Sequence, residues 1–380
     1  MELLPYTDDH RRFREEIRDF CEREVSPFVD LWEKDGLVPR QTWKKMGERG
    51  FLCTWAPPRY GGRGGDFLHS IVALEEMART NHYGLDAFLH SDIVAPYIAS
   101  YGSEAQKEKY LPGCVSGDII LAVAMTEPGA GSDLASLSMT AVEDGGAAVL
   151  NGAKTFISNG LLCDLVVTAA RDEGIEDRRG AISLYLVESG FPGFSRGKGM
   201  KKLGARSQDT AELFFSGCRV PLENRLGEKG AGYPMLMEKL QQERLLVAVL
   251  AVCKAEYALS WTTERLKGGP HGGKKHGLSP AARFALVEME TELRLGRTFV
   301  ESLILSHMAK KDITGPTCMA KYWASDMANR VASSCLDLLG AEAAAESCPI
   351  ARTFRDLRVF SIFAGTNEIM KVVAAKSLGI

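Results

Sequence analysis

Apolar residues recur at helical spacing through the first third of the chain. Between Asp8 and Val25 they fall on one face among charged side chains, and similar patterns cover roughly His69 to Thr80 and Asp92 to Tyr101. Ser103 precedes Gln106 by three residues, the spacing of a capping box, in which the two residues bond each other's backbone N–H. The pattern therefore predicts an N-terminal region of helices.

The middle of the chain changes to the two-residue period of strands. Ile119 to Met125 is an apolar run bounded by turn-forming residues. Residues 137–141 alternate apolar and polar, Asp144-Gly145-Gly146 supplies a turn, and 147–150 resume, which predicts a hairpin. Further short strands are predicted at 165–169, 182–187 and 212–215. This segment is therefore expected to be a β-sandwich or barrel.

Helical periodicity returns after Gly232 and continues almost to Ile380. Its only clear interruption is a loop from Lys267 to Pro280 that is dense in glycine and basic residues. The order of helices, strands and helices predicts an α+β chain with a helical domain at 1–118, a β domain at 119–231 and a second helical domain at 232–380.

Composition narrows the class of protein. The chain has 380 residues, 45% of them hydrophobic and 25% charged, with a net charge of −3, so charge gives no reason to expect nucleic acid or an anionic membrane as a partner. The longest apolar stretch, Leu245 to Cys253, is too short to span a bilayer, and the acidic start MELLPYTDDHRRFREE does not resemble a signal peptide. Nine cysteines without a CxxC pair indicate thiols in a reducing compartment.

The segment from Met125 to Asp133 is the strongest candidate for a ligand site. It reads MTEPGAGSD and follows a predicted strand, so its small residues would let backbone N–H groups approach a pyrophosphate or a polar ring edge. The hydroxyls of Thr126 and Ser132 would add donors. Spacing alone favours the simpler interpretation of a glycine-rich turn.

Several blocks together resemble the acyl-CoA dehydrogenase family. They are AMTEPGAGSDLASL (124–137), NGAKTFISNG (151–160), KLGARSQDTAELFF (202–215), RVPLENRLG (219–227) and RDLRVFSIFAGTNEIMK (355–371). They occur in the family's order and at its spacing over nearly the whole chain. The resemblance implies a three-domain fold that ends in a four-helix bundle, bound FAD, and an electron-transfer flavoprotein as electron acceptor.

The resemblance also implies roles for individual residues around the flavin. Met125 and Thr126 would contact the ring edge, and Gly131 and Ser132 would contact the phosphates. Phe156 and Ser158 would flank the ring face and N5, and Thr366 and Glu368 would lie near the pyrophosphate. Phe156 would otherwise be ordinary sheet core, and Ser158 an exposed strand residue. Ser132, Arg244, Gly365 and Lys376 would contact the acyl-CoA, although for Lys376 the favoured interpretation is a solvated helix charge.

The reaction needs a carboxylate base, and the position that usually carries it in the family has no carboxylate here. Most members carry it just before the Gly-Thr of the C-terminal segment, where this chain has Ala364, whose backbone N–H could still donate to the thioester oxygen. A smaller branch, which includes the long-chain and isovaleryl enzymes, uses a glutamate on another helix, and the match here is Glu243.

Glu243 also falls on an apolar stripe. It stands at helical 4-3-4 steps with Leu236, Leu240, Val247 and Leu250, so partial burial would raise its pKa and make it a better base. Spacing alone favours the alternative that residues 241–244 form one solvated polar turn. The alanine at 364, together with the resemblance, favours Glu243 as the base.

Two departures from the family pattern affect the flavin contacts. The family's Arg-x-x-Phe-Gly, which reaches the neighbouring subunit's flavin, is reduced to Arg265, and its Gln-x-x-Gly-Gly becomes Asp337 followed by Gly340. An acid at 337 would repel a pyrophosphate unless a cation such as Lys274 or Lys275 compensated. His271 and His276 lack further ligands at suitable spacing, so no metal site is expected.

The sequence therefore predicts FAD-dependent α,β-dehydrogenation of an acyl-CoA to the trans-2-enoyl-CoA. Two alternatives stay open: a carrier-protein-bound, branched or cyclic acyl substrate, or a relative of the fold with weakened FAD binding that acts as a binding module. The glutaryl-type members of the family hold a second carboxylate with an arginine in the neighbourhood of residues 81–86, which offer none here, so the resemblance disfavours a dicarboxylic acyl group. The family implies a homotetramer, in a bacterial cytoplasm or, after loss of a transit peptide, in the mitochondrial matrix.

Overall fold

A computed structural model describes residues 3–268 and 278–380. The N-terminal region is helical, as predicted, with α1 Asp8–Phe20, α2 Val29–Asp35, α3 Arg40–Glu48, α4 Phe67–Arg79, α5 Ala95–Tyr101 and α6 Glu104–Ser116. Single π-helical turns, Cys21–Val25 and Leu89–Val94, follow α1 and precede α5. The predicted capping box at Ser103 and Gln106 is confirmed, and it opens α6.

The β region contains β1 Leu121–Ala124, β2 Thr140–Asp144, β3 Ala147–Ser158, β4 Leu165–Asp172, β5 Ile182–Glu188, β6 Phe194–Arg196, β7 Thr210–Pro221 and β8 Arg225–Leu226. These strands form one mixed sheet in the order β6-β7-β3-β2-β4-β5-β8, with β1 paired in parallel to β4. The predicted hairpin is confirmed as the antiparallel pair β2–β3, which turns at Gly145 and Gly146, both with positive φ.

The C-terminal region is helical, with α7 Gly232–Gly268, α8 Pro280–Met308, α9 Thr314–Leu339, α10 Pro349–Leu357 and α11 Asn367–Ser377. The predicted loop from Lys267 to Pro280 lies largely outside the described residues, as do His271, Lys274, Lys275 and His276. The helix–strand–helix order, and with it the α+β fold class, is confirmed.

Helix α7 runs through the centre of the molecule. It packs against α8, α9 and α10 of its own region, and also against α4, α5 and β5. One cluster of buried side chains joins all three regions, for example Leu68, Leu184 and Leu250. Because α7 touches every layer, a side chain on its inner face can meet residues from distant parts of the sequence.

Helix α7 is also long and apolar enough to cross a membrane by length and composition alone. In its most apolar window, however, 78% of the residues are buried inside the fold. Packing against the rest of the chain therefore accounts for the apolar character of this helix.

Candidate active site

Glu243 lies on the inner side of α7 with an unsatisfied carboxylate. The residue is half-buried, but its Oε2 atom is sealed from solvent and has no hydrogen-bond partner among the described residues. A buried oxygen without a donor is costly in a folded protein and indicates a functional site or a bound molecule. The alternative of a solvated polar turn does not describe this side chain.

The surroundings of Glu243 favour its protonated form. Burial raises its pKa to about 7, and the positive charges of Arg244 and Lys321 oppose that rise. The negative charge of Glu243 in turn contributes to the raised pKa values of three other buried groups, Asp86, Tyr83 and Tyr97. A carboxyl group with a pKa close to neutrality can both accept and return a proton at physiological pH.

The turn before α11 is brought close to α7. Ala364 has φ +55°, a left-handed conformation that is unusual for alanine, and Gly365 follows with φ +91°. Arg244, next to Glu243 in α7, donates from Nε to the Ala364 carbonyl oxygen at 3.4 Å. The structure therefore places Arg244, Ala364 and Gly365 in one cluster beside the α7 turn that carries Glu243.

Thr366 and Glu368 open α11 directly after this turn. The Thr366 hydroxyl caps the helix by accepting from the Ile369 N–H at 3.3 Å. Glu368 is exposed in the first helical turn, and its pKa is lowered by hydrogen bonds from its own backbone and from Thr366. Lys376 is exposed in the last turn of the same helix.

The glycine-rich loop after β1 is anchored by a buried ion pair. Lys154 donates from Nζ to Glu127 Oε1 at 2.8 Å, and Glu127 also accepts from the Ser138 N–H and hydroxyl at 2.7 and 2.6 Å. Burial tends to raise the pKa of Glu127, but Lys154 and Ser138 outweigh this and lower it. Thr155 N–H bonds the Thr126 carbonyl at 2.9 Å, so the loop is fixed to β3.

The exposed side of this loop has room for a ligand. Met125 and Thr126 are half-buried, whereas Gly131 and Ser132 are exposed. A Cβ added at Gly129 would meet nothing within 4 Å, and one at Gly131 would meet only Thr126 Cγ2 at 4.0 Å. Open space beside a rigid loop suits the approach of a polar group to backbone N–H donors.

Phe156 projects from β3 at an irregularity in the sheet. The register of β3 against β7 shifts between Lys154 and Ile157, and Phe156 within that shift has φ +56°. This β-bulge turns the ring outward, where it is 69% exposed, while Ser158 at the end of β3 is half-buried. The alternative that Phe156 is sheet core is wrong, because the bulge breaks the alternation that would bury it.

Three residues that the resemblance assigns to flavin contacts, Arg265, Asp337 and Gly340, lie at the ends of α7 and α9. Arg265, near the end of α7, donates to both carboxylate oxygens of Glu342 at 2.8 and 3.0 Å. Asp337 and Gly340 are exposed at the adjoining end of α9. Across 3–268 and 278–380, no hydrogen bond joins these three residues to Glu243 or to the glycine-rich loop, and their cofactor role stays a prediction.

Lys321 of α9 is a site residue that sequence reasoning missed. It is fully buried and donates from Nζ to the Gly365 carbonyl oxygen at 2.8 Å. A signal was present, because Lys321 is a single cation at helical spacing among the small or apolar residues Cys318, Ala324 and Ser325. A lysine on such a face is usually paired or functional.

One group of side chains in the described ranges has the spacing of metal ligands. His10 Nε2 and His69 Nδ1 lie 2.8 and 3.0 Å from Asp66 Oδ1. Both histidines close capping boxes, at the starts of α1 and α4. Helix capping explains the His69–Asp66 contact, and the His10–Asp66 contact is a hydrogen bond between the starts of the two helices, so neither contact requires an ion.

Comparison with known proteins agrees with this geometry. The family models for the acyl-CoA dehydrogenase N-terminal, middle and C-terminal domains match residues 7–118, 122–218 and 230–379. The chain is 42% identical over 374 residues to the mitochondrial long-chain specific acyl-CoA dehydrogenase of Mus musculus, covering 98% of this chain and 87% of that relative.

Solved structures give the same result. An acyl-CoA dehydrogenase from Geobacillus kaustophilus has a TM-score of 0.97 and 48% identity, covering 99% of each chain. A glutaryl-CoA dehydrogenase from Mycobacterium smegmatis in complex with FADH2 has a TM-score of 0.89 and 25% identity, covering 98% of this chain and 95% of that one. The chain therefore belongs to the acyl-CoA dehydrogenase family of oxidoreductases, whose members are FAD-dependent.

Proposed function

We propose that this chain dehydrogenates an acyl-CoA thioester to the trans-2-enoyl-CoA, with Glu243 as the base that removes the α-proton. One observation carries the proposal: Glu243 Oε2 is buried without a hydrogen-bond donor among residues 3–268 and 278–380, whereas the position before Gly365 is an alanine. A carboxylate that is not engaged in structural hydrogen bonds is available to accept the acidic α-proton of a substrate. Its pKa of about 7 suits a base that works near neutral pH.

The residues around the glycine-rich loop fit FAD as the cofactor. An exposed aromatic ring at Phe156 offers an apolar face, and the space at Gly129 and Gly131 admits phosphate oxygens. The residues that would hold FAD are Met125, Thr126, Gly131, Ser132, Phe156, Ser158, Thr366 and Glu368. Bound FAD would supply a two-electron acceptor for the hydride that leaves the substrate β-carbon.

The chain's own groups would stabilise the charge that develops on the thioester. The backbone N–H of Ala364 would donate to the thioester oxygen, a role that needs no side chain. Arg244 supports that turn through the Ala364 carbonyl and, as a buried cation beside Glu243, favours the ionised carboxylate that must be present before the α-proton is taken. Ser132, Gly365 and Lys376 are proposed contacts for the rest of the acyl-CoA.

Partners and location follow from the family. An electron-transfer flavoprotein is the proposed electron acceptor, and the relatives include mitochondrial and bacterial enzymes. A homotetramer is proposed, and α8 presents three strongly exposed apolar side chains, Phe284, Val287 and Leu295, that a second copy could cover. A bacterial cytoplasm or the mitochondrial matrix is the proposed location.

Replacement of Glu243 tests the proposal directly. We expect Glu243→Gln to retain bound FAD but to lower kcat by about 10²- to 10⁴-fold, because general base catalysis is lost. Bleaching of the flavin under anaerobic conditions by octanoyl-, palmitoyl-, isovaleryl- and cyclohexanecarbonyl-CoA would measure the reaction and identify the acyl group. Palmitoyl-CoA leads this panel because the mouse relative is named long-chain specific.

A neighbouring glutamate of the same helix provides the control. Glu238 is exposed and precedes Glu243 by five residues, so Glu238→Gln should react at the rate of the unaltered enzyme. Turnover at an unaltered rate by Glu243→Gln would eliminate Glu243 as the base.

A further inference from the structure

Lys321 is a buried ammonium group whose hydrogen-bond partners are all neutral. Its Nζ donates to the Gly365 carbonyl oxygen at 2.8 Å and to Asn367 Oδ1 at 3.1 Å. Within the described part of the chain, no carboxylate lies within ion-pair distance of it. Because a buried charge without a paired counter-charge is costly, its presence requires a structural or chemical reason.

The first consequence of these bonds is that α11 is fixed to α9. Asn367, the first residue of α11, donates from Nδ2 to Ser325 Oγ at 2.9 Å and to Asp326 Oδ1 at 2.8 Å. Its Nδ2 also donates to the Tyr322 carbonyl at 3.3 Å and its Oδ1 accepts from Lys321, so one amide side chain bonds four residues of α9. The start of α11 therefore has little freedom to move relative to α9.

The second consequence concerns the turn between Phe363 and Thr366. The Ala364 carbonyl accepts from Arg244 of α7, and the next carbonyl, Gly365, accepts from Lys321 of α9. Left-handed alanine is about 1–2 kcal/mol less stable than its ordinary conformations, so the turn needs such external bonds to persist. Two cations from two helices thus hold two successive carbonyl groups.

The third consequence is electrostatic. Burial, together with the charge of Arg244, lowers the pKa of Lys321 to about 8, although nearby acids, including Glu243, oppose the fall. The positive charge of Lys321 in turn opposes the rise in the pKa of Glu243. The ionisable groups that face Glu243 are the cations Arg244 and Lys321 and the buried acids and phenols Asp86, Tyr83 and Tyr97.

We propose that Lys321 is a positioning residue for the reaction, which holds the Ala364–Gly365 turn in its reactive conformation and places a positive charge beside Glu243. This inference rests on the proposed role of Glu243 as the base. It assigns two separable contributions to one side chain, a hydrogen bond to the Gly365 carbonyl and a charge.

Three substitutions separate the two contributions. Lys321→Gln is neutral but retains a donor, Lys321→Met removes both donor and charge, and Lys321→Arg retains the charge. In the pH profile of kcat/KM, the acidic limb reports ionisation of the base. We expect Lys321→Gln and Lys321→Met to move that limb to higher pH, because loss of the cation favours protonated Glu243. Lys321→Arg should leave the limb where it is.

The rate constants distinguish the hydrogen bond from the charge. At a pH above the limb, Lys321→Met should lower kcat about ten- to a hundredfold because the turn is no longer held, while Lys321→Gln should lower it less. The control is Lys254→Met, since Lys254 is equally buried in α7 and donates to the His82 carbonyl at 2.8 Å rather than to the turn. FAD content and circular dichroism would verify folding of each variant.

An unchanged limb in both neutral variants would overturn the inference, as would an equal shift in Lys254→Met. If Lys321→Met fails to fold, the comparison of Lys321→Gln with Lys321→Arg still decides the position of the limb. Glu243→Gln, assayed in parallel, distinguishes the two proposals. Turnover by Glu243→Gln would contradict the role of Glu243 as the base. If Glu243→Gln is inactive and Lys321→Gln behaves like the unaltered enzyme, only the role of Lys321 is contradicted.

Discussion

Glu127 and Glu243 lie in opposite environments. Glu127 accepts hydrogen bonds from Lys154 Nζ, the Ser138 hydroxyl and two backbone N–H groups, and its pKa is lowered against the effect of burial. Glu243 has an oxygen with no donor in the described part of the chain, and burial raises its pKa to about 7. The first carboxylate fixes a loop, and the second is left available for chemistry.

The difference is useful because burial alone does not identify a functional carboxylate. Glu127 and the Oε2 atom of Glu243 are both shielded from water, but of the two residues only Glu127 receives hydrogen bonds from the described part of the chain. A satisfied carboxylate contributes to structure and resists protonation, whereas an unsatisfied one costs stability and titrates near neutral pH. The two sites should therefore respond in opposite ways when a charge is removed.

The largest expected effect follows from breaking the paired site. Lys154→Met would leave Glu127 buried without its counter-charge, and we expect the free energy of unfolding to fall by about 3–5 kcal/mol. Denaturant titration at pH 7 measures this loss. The double variant Glu127→Gln with Lys154→Met removes both charges and should recover most of the lost stability. A single variant within about 1 kcal/mol of the unaltered protein would contradict the structural role of this pair.

The unpaired site should behave in the reverse manner. Because the pKa of Glu243 is about 7 in the folded chain and about 4.3 in an unfolded one, the folded state retains its proton to higher pH. Its contribution to stability is therefore lost as pH rises from about 4.3 to 7. Glu243→Gln does not titrate, so we expect it to be more stable than the unaltered chain by about 3–4 kcal/mol at pH 8 and by much less at pH 4.

Denaturant titrations of both proteins across this pH range measure the difference, in which other titrating groups largely cancel. Glu238→Gln, an exposed change in the same helix, should show no comparable pH dependence. A stability difference between Glu243→Gln and the unaltered chain that is constant with pH would mean that Glu243 does not have the raised pKa.

Local pattern and long-range packing differ in how far the sequence reveals them. The hairpin of β2 and β3, the capping box at Ser103 and the order of helices and strands follow from neighbouring residues, so the sequence predicted them. The apolar stripe through Leu240 and Val247 indicated that Glu243 faces inward. The bond from Lys321 to Gly365 joins residues 44 positions apart, and no local pattern specifies that contact. The bulge that exposes Phe156 depends on the register of β3 against β7, which is also set by distant residues.

Phe156 gives the smallest expected effect and extends the comparison to an apolar group. The Phe156 ring is 69% exposed, although Lys154, two residues earlier in the same strand, is fully buried. Phe156→Ala should therefore change the unfolding free energy of the FAD-free protein by less than about 0.5 kcal/mol. If the ring packs against the flavin, the same substitution should weaken FAD binding by about 1 kcal/mol, roughly fivefold in Kd.

Titration of the FAD-free protein with FAD, followed by flavin fluorescence, measures this change. Phe28→Ala is the matched control, because Phe28 is 40% exposed in the N-terminal region and stacks on Trp32. Equal FAD affinity in Phe156→Ala and Phe28→Ala would show that exposure of an aromatic ring at a bulge does not by itself indicate a cofactor surface. A selective loss in Phe156→Ala would mean that the register shift between Lys154 and Ile157 presents the ring to the flavin.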